Sequence, residues 1–388
     1  MKISRGTSGY KFATGALFLG SIAAFGTEYC VQPIIPVFSE TFGLEAATAS
    51  LAVSFGTGAM AVAMIFIALF AGALPRKIIM ATALIVPAAL AILIAGCESF
   101  SLILLLRFVQ GFLLAGFPAM AVAYIHEEFD AKITGAVAGI YIAGSSIGGL
   151  LGRILLSSLT DLLDWRTGLE ILGVVYVLIG VAFVLTLPTP QHKLTATKAG
   201  AGNFSTLLHN TRLMKLYGII ALVCGTFVCA YNFIAFVLLA PPYNLSQTQV
   251  GFVYALFLFG SAASAIMGRL ADSVGNGRII FLSLLITLAG VVVSILPSIF
   301  AKLGGLALVT YGFFGTHSAA AAWAGKLDSG DKARISAGYM FCFYVGSSVI
   351  GSTGGKFLTA FGWNGVVGFL VVVLLIAMML SVRLKPKT

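Results

Sequence analysis

The stretch FSLILLLRFVQGFLLAGFPAMAVAYI, residues 100–125, carries a single charged side chain, Arg107. A helix of about 20 mostly apolar residues is long enough to cross a lipid bilayer, so this stretch predicts a transmembrane helix. A charge at such depth costs about 3 kcal/mol or more unless it is paired or wetted. Arg107 therefore marks a candidate functional site.

The composition of the whole chain agrees with a membrane location. Of the 388 residues, 59% are hydrophobic and 9% are charged, whereas soluble domains carry about 25% charged residues. We predict an all-α integral membrane protein, with twelve transmembrane helices in two pseudo-symmetric six-helix bundles. The predicted spans are roughly 12–38, 47–70, 78–97, 100–125, 133–156, 168–188, 214–238, 249–270, 278–298, 302–325, 333–357 and 363–383.

The basic residues predict the orientation of these spans. If both termini are cytoplasmic, 18 of the 23 Lys and Arg residues lie on the inner side, as the positive-inside rule requires. They are scattered singly through the loops, which argues against a nucleic-acid partner despite the net charge of +10. We therefore expect a multi-pass protein of a bacterial inner membrane. Arg153 and Lys356 fall near the outer ends of their spans, where we expect them to snorkel to the interface or, alternatively, to attract an anionic substrate.

The chain divides into two similar halves. Residues 189–212 are polar and small and predict a cytoplasmic linker between bundles 1–188 and 213–388. YIAGSSIGG at 141–149 is echoed by YVGSSVIGS at 344–352. Such a repeat predicts a binding site at the interface of the halves, near the bilayer midplane.

A second isolated charge, Glu28, lies in the first span. Counted from the outer ends of their helices, Glu28 is about 15 Å deep and Arg107 about 10 Å deep. Gln32 and Gln110 follow one turn away on the same faces, which predicts a shared wet cavity. Burial raises the pKa of a carboxylic acid and a neighbouring arginine lowers it, so the pair is suited to proton exchange. The alternative is a static ion pair that locks two helices together.

Four motifs resemble the major facilitator superfamily, over nearly the whole chain. RFVQG at 107–111 resembles its RxxQG motif, and GSSIGG at 144–149 resembles the GPxxGG motif of its exporters, with Ser145 in place of proline. GRLADSVGNGR at 268–278 resembles its loop GxLADxxGxxxR, and YCVQPIIP at 29–36 resembles helix 1 of bacterial drug:proton antiporters and arabinose-type efflux proteins. The loop at 72–77 lacks the acidic residue usual in the family. The resemblance implies alternating access by rocking of two bundles.

The resemblance also implies roles for particular residues. Proton coupling is expected at Glu28 and Arg107. Midspan aromatic and polar side chains are expected to bind substrate, the alternative being packing or lipid contact: Tyr29, Gln32, Gln110, Phe117, Tyr141, Phe227, Tyr231, Asn232, Tyr254, Phe257, Tyr311, Phe314, His317, Tyr339 and Phe343. Gating is expected at Gly144, Gly148, Gly149, Gly268, Asp272 and Arg278.

Three of these assignments have specific alternatives. His317 is either a proton relay or a hydrogen-bonded core residue. The glycines are either a hinge that seals the two halves or a means of close helix packing. Asp272 is either a latch on the N-terminal end of the eleventh predicted span, 333–357, where the helix dipole favours an anion, or a solvated loop acid.

These features favour a proton-coupled antiporter that exports a small amphipathic compound such as a drug or metabolite. The alternative is a facilitator or importer of a sugar or organic acid, with Glu28 and Arg107 as a structural pair. A membrane enzyme or receptor is a remote alternative, since no nucleophile motif, phosphate loop or metal-ligand cluster is present. The expected partners are the substrate, protons and the lipid bilayer; we expect no cofactor, no metal and a monomer.

Overall fold

The computed structural model describes residues 2–70, 75–190, 209–327 and 332–384. Nearly all of these residues are helical. The helices, numbered along the chain, are α1 (Ser8–Tyr29), α2 (Ile35–Phe42), α3 (Ala46–Ala49), α4 (Leu51–Phe70), α5 (Arg76–Ala95), α6 (Phe100–Leu114), α7 (Gly116–Glu128), α8 (Thr134–Leu162), α9 (Trp165–Thr186), α10 (Thr211–Leu239), α11 (Gln247–Val253), α12 (Phe257–Val274), α13 (Asn276–Val293), α14 (Ile299–Leu327) and α15 (Lys332–Val382).

Within the described ranges, the helices are compatible with the predicted twelve crossings. Ten helical segments are long and apolar enough to span a bilayer, and Leu51–Ile67 is a shorter apolar helix. The last of the ten holds two predicted spans, because its backbone leaves helical geometry at Gly362. The rings of Phe357 and Phe369 stack with their centroids 4.7 Å apart, whereas twelve residues of straight helix would separate them by about 18 Å. The chain therefore reverses at Gly362.

Prolines break two of the predicted spans. A proline removes the hydrogen bond to the carbonyl four residues earlier and clashes with it. Pro33 accordingly ends α1 at Tyr29, and a short 3-10 turn over Gln32–Ile34 precedes α2. Pro118 likewise accounts for the boundary between α6 and α7 at Ala115. The first break immediately follows Glu28.

Two large hydrophobic cores lie in the two halves of the sequence, and a smaller cluster of Met60, Ala61, Ala63, Ala115 and Tyr344 joins the halves. One is built from α1–α9 and the other from α10–α15, with Ala46 as its one member from the first half. Most of the predicted linker 189–212 lies outside the described residues. We call the end of the bundle at Phe42, where the first crossing ends, the distal face, and the opposite end the terminal face.

The halves meet at the distal face through named contacts. Gln247 Nε2 donates to the carbonyl of Pro33 over 2.9 Å, and the amide of Thr248 donates to Asp161 Oδ2 over 3.2 Å. Nearer the middle, Ser348 Oγ donates to the carbonyl of Ser54 over 2.7 Å. The first two contacts join the halves at the distal face, and the third joins them deeper in the protein.

Candidate functional site: a buried ion pair behind a central cavity

Glu28 and Arg107 meet inside the first half, as the sequence predicted. Each residue is 1% exposed, and Arg107 Nη2 lies 3.5 Å from Glu28 Oε1. Glu28 reaches this position from the last turn of α1, and Arg107 from the middle of α6. Gly56 of α4 covers the pair, since an added Cβ there would lie 2.5 Å from Glu28 Oε1 and 2.8 Å from Arg107 Nη2. Only a glycine leaves room for both side chains at this crossing.

The guanidinium of Arg107 is held chiefly by backbone carbonyls. Its Nε donates to Ala52 over 2.8 Å and its Nη2 to the carbonyl of Glu28 over 2.7 Å. Its Nη1 donates to Gln110 Oε1 over 2.5 Å and to the carbonyl of Thr27 over 3.4 Å. Arg107 thus joins α1, α4 and α6 without a hydrogen bond to a carboxylate.

The carboxylate of Glu28 is in a different situation. Neither of its oxygens accepts a hydrogen bond from any residue that the structure describes. Among the described residues, its negative charge is compensated chiefly by the nearby Arg107 and to a smaller extent by Arg153. A buried carboxylate held only in this way is not locked in one geometry, and its protonation would break no hydrogen bond within the described part of the chain.

A cavity of about 200 Å³ lies between the halves. Its walls come from both halves, as the sequence predicted for a binding site, and combine aromatic rings with a few polar groups. The lining residues are Phe25, Tyr29, Gln32, Val53, Ser145, Ser146, Gly149, Arg153, Cys224, Phe227, Val228, Phe257, Phe313, Phe314, His317, Phe343 and Ser347.

The prediction that Glu28, Arg107, Gln32 and Gln110 share one wet cavity was wrong in part. Of its four residues only Gln32 lines the cavity; Glu28 and Arg107 lie one layer behind the wall. Gln110 is 1% exposed and donates to the carbonyl of Pro87 over 2.7 Å, besides accepting from Arg107. Its amide is satisfied inside the first half, so it does not reach the cavity.

Arg153 was expected to snorkel to the outer interface or, alternatively, to attract an anionic substrate; its burial contradicts the first expectation, and the second stays a prediction. The residue is 5% exposed, and its guanidinium carbon lies 4.6 Å from the ring centroid of Tyr29, 5.1 Å from that of Tyr254 and 4.8 Å from that of Phe257. Cation–π attraction to three rings compensates the charge away from water. Lys356, by contrast, is exposed, in keeping with its prediction.

A chain of hydrogen bonds runs from Arg153 across the interface of the halves. Arg153 Nε donates to Gln32 Oε1 over 2.9 Å, and Gln32 Nε2 donates to Asn232 Oδ1 over 2.8 Å. Asn232 Nδ2 in turn donates to the carbonyl of Gly351 over 3.0 Å. The cavity arginine is therefore connected directly to a contact between the halves.

His317 lines the cavity beside Tyr339. The Tyr339 hydroxyl lies 2.9 Å from His317 Nδ1, and the ring of Phe313 stacks beside the imidazole at 6.0 Å. These contacts are those expected of a hydrogen-bonded core histidine. A proton-relay role for His317 stays a prediction.

Seven of the predicted binding residues line the cavity: Tyr29, Gln32, Phe227, Phe257, Phe314, His317 and Phe343. Tyr231, Asn232, Tyr254 and Tyr339 are buried but are absent from the lining, as are Phe117, Tyr141 and Tyr311. The ring of Phe117 packs instead against Tyr141 and Phe183 within the first core. The prediction for Phe117 rested on its midspan position, which does not determine the side of the helix on which a residue lies.

The glycines of α8 bring it into backbone contact with α1. Added Cβ atoms at Gly144 and Gly148 would overlap the backbone of Phe18 and Ile22. This contact lies within the first half, in keeping with the close-packing alternative. Gly149 faces the cavity, where its carbonyl accepts from Arg153 Nη1 over 2.6 Å.

The predicted latch residues lie on the terminal face. Asp272 and Arg278 are exposed, and Gly268 faces Ser318, with an added Cβ 2.9 Å from its Oγ. The predicted partner of Asp272 is the start of the eleventh predicted span, 333–357, which lies in α15. It borders residues 328–331, which lie outside the described ranges. The latch therefore stays a prediction.

Several lining residues were missed by the sequence reasoning, although a signal existed for some. Ser146, Gly149 and Arg153 recur at the three- and four-residue spacing of one helix face. Since Gly149 was a gating candidate and Arg153 had been considered for attraction of an anionic substrate, this spacing indicated Ser146 on the same face. Phe25 precedes Tyr29 by one turn in the same manner.

A helical membrane protein with a polar and aromatic cavity between two halves has the architecture of a membrane transporter. The sequence model of the Major Facilitator Superfamily matches residues 17–323 and 220–388. The chain belongs to this family, whose members are transporters and not enzymes.

Individual proteins agree with this assignment. The chain is 35% identical to the uncharacterized MFS-type transporter YybF of Bacillus subtilis, over 98% of this chain and 95% of that protein. It is 33% identical to the inner membrane transport protein YnfM of Escherichia coli, over 99% and 93% respectively. A more distant relative is the chloramphenicol resistance protein CraA of Acinetobacter baumannii, 25% identical over 76% of this chain and 74% of that protein.

The fold is also that of solved transporters. A bacterial homologue of the human lysosomal transporter Spinster, in an inward-facing and occupied conformation, superimposes with a TM-score of 0.79 at 15% identity, over 97% of this chain and 96% of that one.

Proposed function

We propose that this transporter couples the movement of protons to the export of a small amphipathic compound, with Glu28 as the proton-binding group. The observation that carries the proposal is the buried carboxylate of Glu28, which lies 3.5 Å from Arg107 Nη2 and accepts no hydrogen bond from the described residues. Burial without hydrogen bonds favours the neutral acid, whereas the Arg107 charge favours the carboxylate. A group balanced in this way changes protonation when its surroundings change.

The position of Glu28 supports coupling to movement of the halves. Glu28 lies one residue before the end of α1, and the chain beyond the break contributes Gln32 and Pro33 to contacts with the second half. A change of charge at Glu28 alters its attraction to Arg107. Because hydrogen bonds to backbone carbonyls hold Arg107 in place, Glu28 is the residue that moves. Movement of Glu28 would first displace the segment that follows the break in α1. We propose that this segment transmits protonation to the distal contacts.

The chemistry of the cavity supports an amphipathic substrate. Aromatic rings supply most of its wall and a few polar groups supply orientation, the usual pattern of a small-molecule site. The resistance that gives the relative CraA its name supports export as the direction. We further propose that the halves 1–188 and 213–388 rock as units, that the distal face is the outer one, and that the protein works as a monomer.

The test compares Glu28→Gln with wild type in proteoliposomes that contain a pH-sensitive dye. A pH gradient is imposed, and chloramphenicol, ethidium and benzoate are each added in turn. We expect at least one compound to dissipate the gradient in wild type and none in Glu28→Gln. Glu40→Gln is the matched control, since Glu40 is an exposed carboxylate on α2 beyond the break, and it should behave as wild type.

Two outcomes would overturn the proposal. If Glu28→Gln retains gradient-driven uptake at the wild-type level, Glu28 does not couple. If wild type moves a compound without any effect on the gradient, the protein is a facilitator. The exclusion of Glu28 from the cavity lining favours this second function, with the ion pair as a structural element.

A further inference from the structure

We infer that Arg153 is an anion-binding residue, and that the cavity takes a small aromatic carboxylate with its carboxylate on Arg153. The inference rests on the proposed transport of a compound through this cavity and names its chemical class. It does not depend on proton coupling.

The first argument is that Arg153 retains free hydrogen-bonding capacity at the cavity wall. An arginine has five N–H donors. In Arg153, Nε donates to Gln32 and Nη1 donates to the carbonyl of Gly149, both neutral acceptors. Nη2 makes no hydrogen bond with the described residues, nor is it one of their buried unsatisfied atoms. This nitrogen is therefore directed at space that a ligand can enter.

The second argument is the balance of charge. Among the residues that the structure describes, those that line the cavity include Arg153 and no aspartate or glutamate. The nearest buried carboxylate, Glu28, lies behind the wall beside the positive charge of Arg107. A buried arginine whose hydrogen-bond acceptors are all neutral favours an anion and disfavours a cation at the wall that it lines. The cavity is thus electrostatically unsuited to the cationic drugs that a wall carboxylate would attract.

The third argument is the shape of the remaining wall. Phe227 and Phe313 stack with their ring centroids 4.2 Å apart, and Phe314 packs edge-on to Phe313. Phe257 lies both beside Phe227 and under the guanidinium of Arg153. An aromatic ring whose carboxylate meets Arg153 would be placed against these side chains. The volume of about 200 Å³ suits a ligand with one ring, since drug-sized ligands occupy about 300–1,000 Å³.

The fourth argument concerns the consequence of binding. Arg153 is one bond away from the Gln32–Asn232 contact that joins the halves. An anion that draws the guanidinium toward the cavity competes with Gln32 for it. Binding at Arg153 and loosening of the distal contacts are therefore linked through a single side chain.

The experiment measures binding of three ligands that share one ring: benzoate, benzamide and benzylamine. Purified full-length protein is titrated in detergent without any gradient, by calorimetry and by ligand-induced thermal stabilisation. We expect benzoate to bind tightest and benzylamine not at all. Arg153→Gln should lower benzoate affinity about 10- to 100-fold, the range for loss of a charged hydrogen bond, and should leave benzamide affinity within about threefold.

The controls separate charge recognition from folding. Lys356→Gln removes an exposed cation of α15 and should keep the wild-type ratio of benzoate to benzamide affinity. If Arg153→Gln fails to fold, the ranking of the three ligands in wild type and in Arg153→Lys still tests the inference. Arg153→Lys should keep the preference for benzoate at reduced affinity.

The inference is overturned if wild type prefers benzylamine or benzamide, if none of the three binds at 10 mM or below (about −3 kcal/mol), or if Arg153→Gln keeps the wild-type ratio. Its failure is distinct from that of the proposed function. Anion preference with an inactive proton response refutes only the coupling, and a Glu28-dependent proton response without anion preference refutes only the role of Arg153.

Discussion

Replacing Gly56 by alanine tests whether the buried pair depends on the close approach of α4. The added Cβ would lie 2.5 Å from Glu28 Oε1 and 2.8 Å from Arg107 Nη2. Ordinary contact begins at 3.4 Å, so the carboxylate oxygen must move by about 0.9 Å. Arg107 is held by carbonyls of α1 and α4, and we therefore expect Glu28 to move furthest, with a smaller shift of Arg107 Nη2.

The magnitude follows from this displacement. If the Glu28–Arg107 separation grows from 3.5 Å to about 4.4 Å, their attraction weakens by about 1 kcal/mol at an effective dielectric constant of 20. Overpacking of a tight contact adds about 1–3 kcal/mol. The better helix propensity of alanine returns about 1 kcal/mol. The net expectation is a loss of about 1–3 kcal/mol of stability.

The assay is thermal unfolding in detergent, together with the proton response in proteoliposomes. Gly56→Ala should melt several degrees below wild type and shift the pH at which transport is half-maximal. Gly15→Ala is the control, because an added Cβ at Gly15 of α1 meets nothing within 4 Å. In a Glu28→Ala background, the cost of Gly56→Ala should fall by about 1 kcal/mol or more. An unchanged cost in that background, or a wild-type melting temperature for Gly56→Ala, would refute the reasoning.

Three further predictions follow from single contacts. Arg107→Lys keeps the charge but loses the bonds of a planar fork, and should cost about 2–5 kcal/mol in the same melting assay; a melting temperature equal to wild type would contradict it. Asn232→Leu leaves Gln32 Nε2 without its acceptor and should weaken the distal contacts by about 1–3 kcal/mol, seen as longer distances between spin labels on the distal face, whereas unchanged distances would exclude this role. Asp164→Ala should cost about 1 kcal/mol of stability by loss of a helix N-cap. Hydrogen bonds from Thr167 lower the pKa of Asp164 in the folded protein. The difference in stability between wild type and Asp164→Ala should therefore be largest above about pH 4 and vanish as the pH falls through the folded-state pKa. A difference that grows on acidification would contradict that sign.

The sequence predicted the helical membrane fold and the meeting of Glu28 with Arg107. Long apolar stretches leave no other way to satisfy the backbone in lipid than a helix or a closed barrel. Two isolated charges of opposite sign at similar depth must compensate each other or pay for burial. Both inferences rest on costs so large that few arrangements avoid them.

The cavity wall was harder to predict, because it depends on the rotation of each helix about its axis. Gln110 was placed correctly one turn from Arg107, but the same turn directs its amide at the carbonyl of Pro87 instead of the cavity. Arg153 was judged from its distance to the end of α8, whereas its charge is accommodated by three aromatic rings from both halves. All three rings, on Tyr29, Tyr254 and Phe257, are more than a hundred residues away along the chain.

By itself, therefore, the amino-acid order determined that this chain enters a bilayer as helices, that it repeats, and that an acid and a base must pair within the first half. Only the tertiary structure decided that the base is bound by carbonyls, that the acid is left without hydrogen bonds among the described residues, and that a second arginine faces the cavity. The physical reason is range: the cost of burying a charge is local to its helix, whereas the identity of what compensates it is set by helices that arrive from elsewhere in the chain.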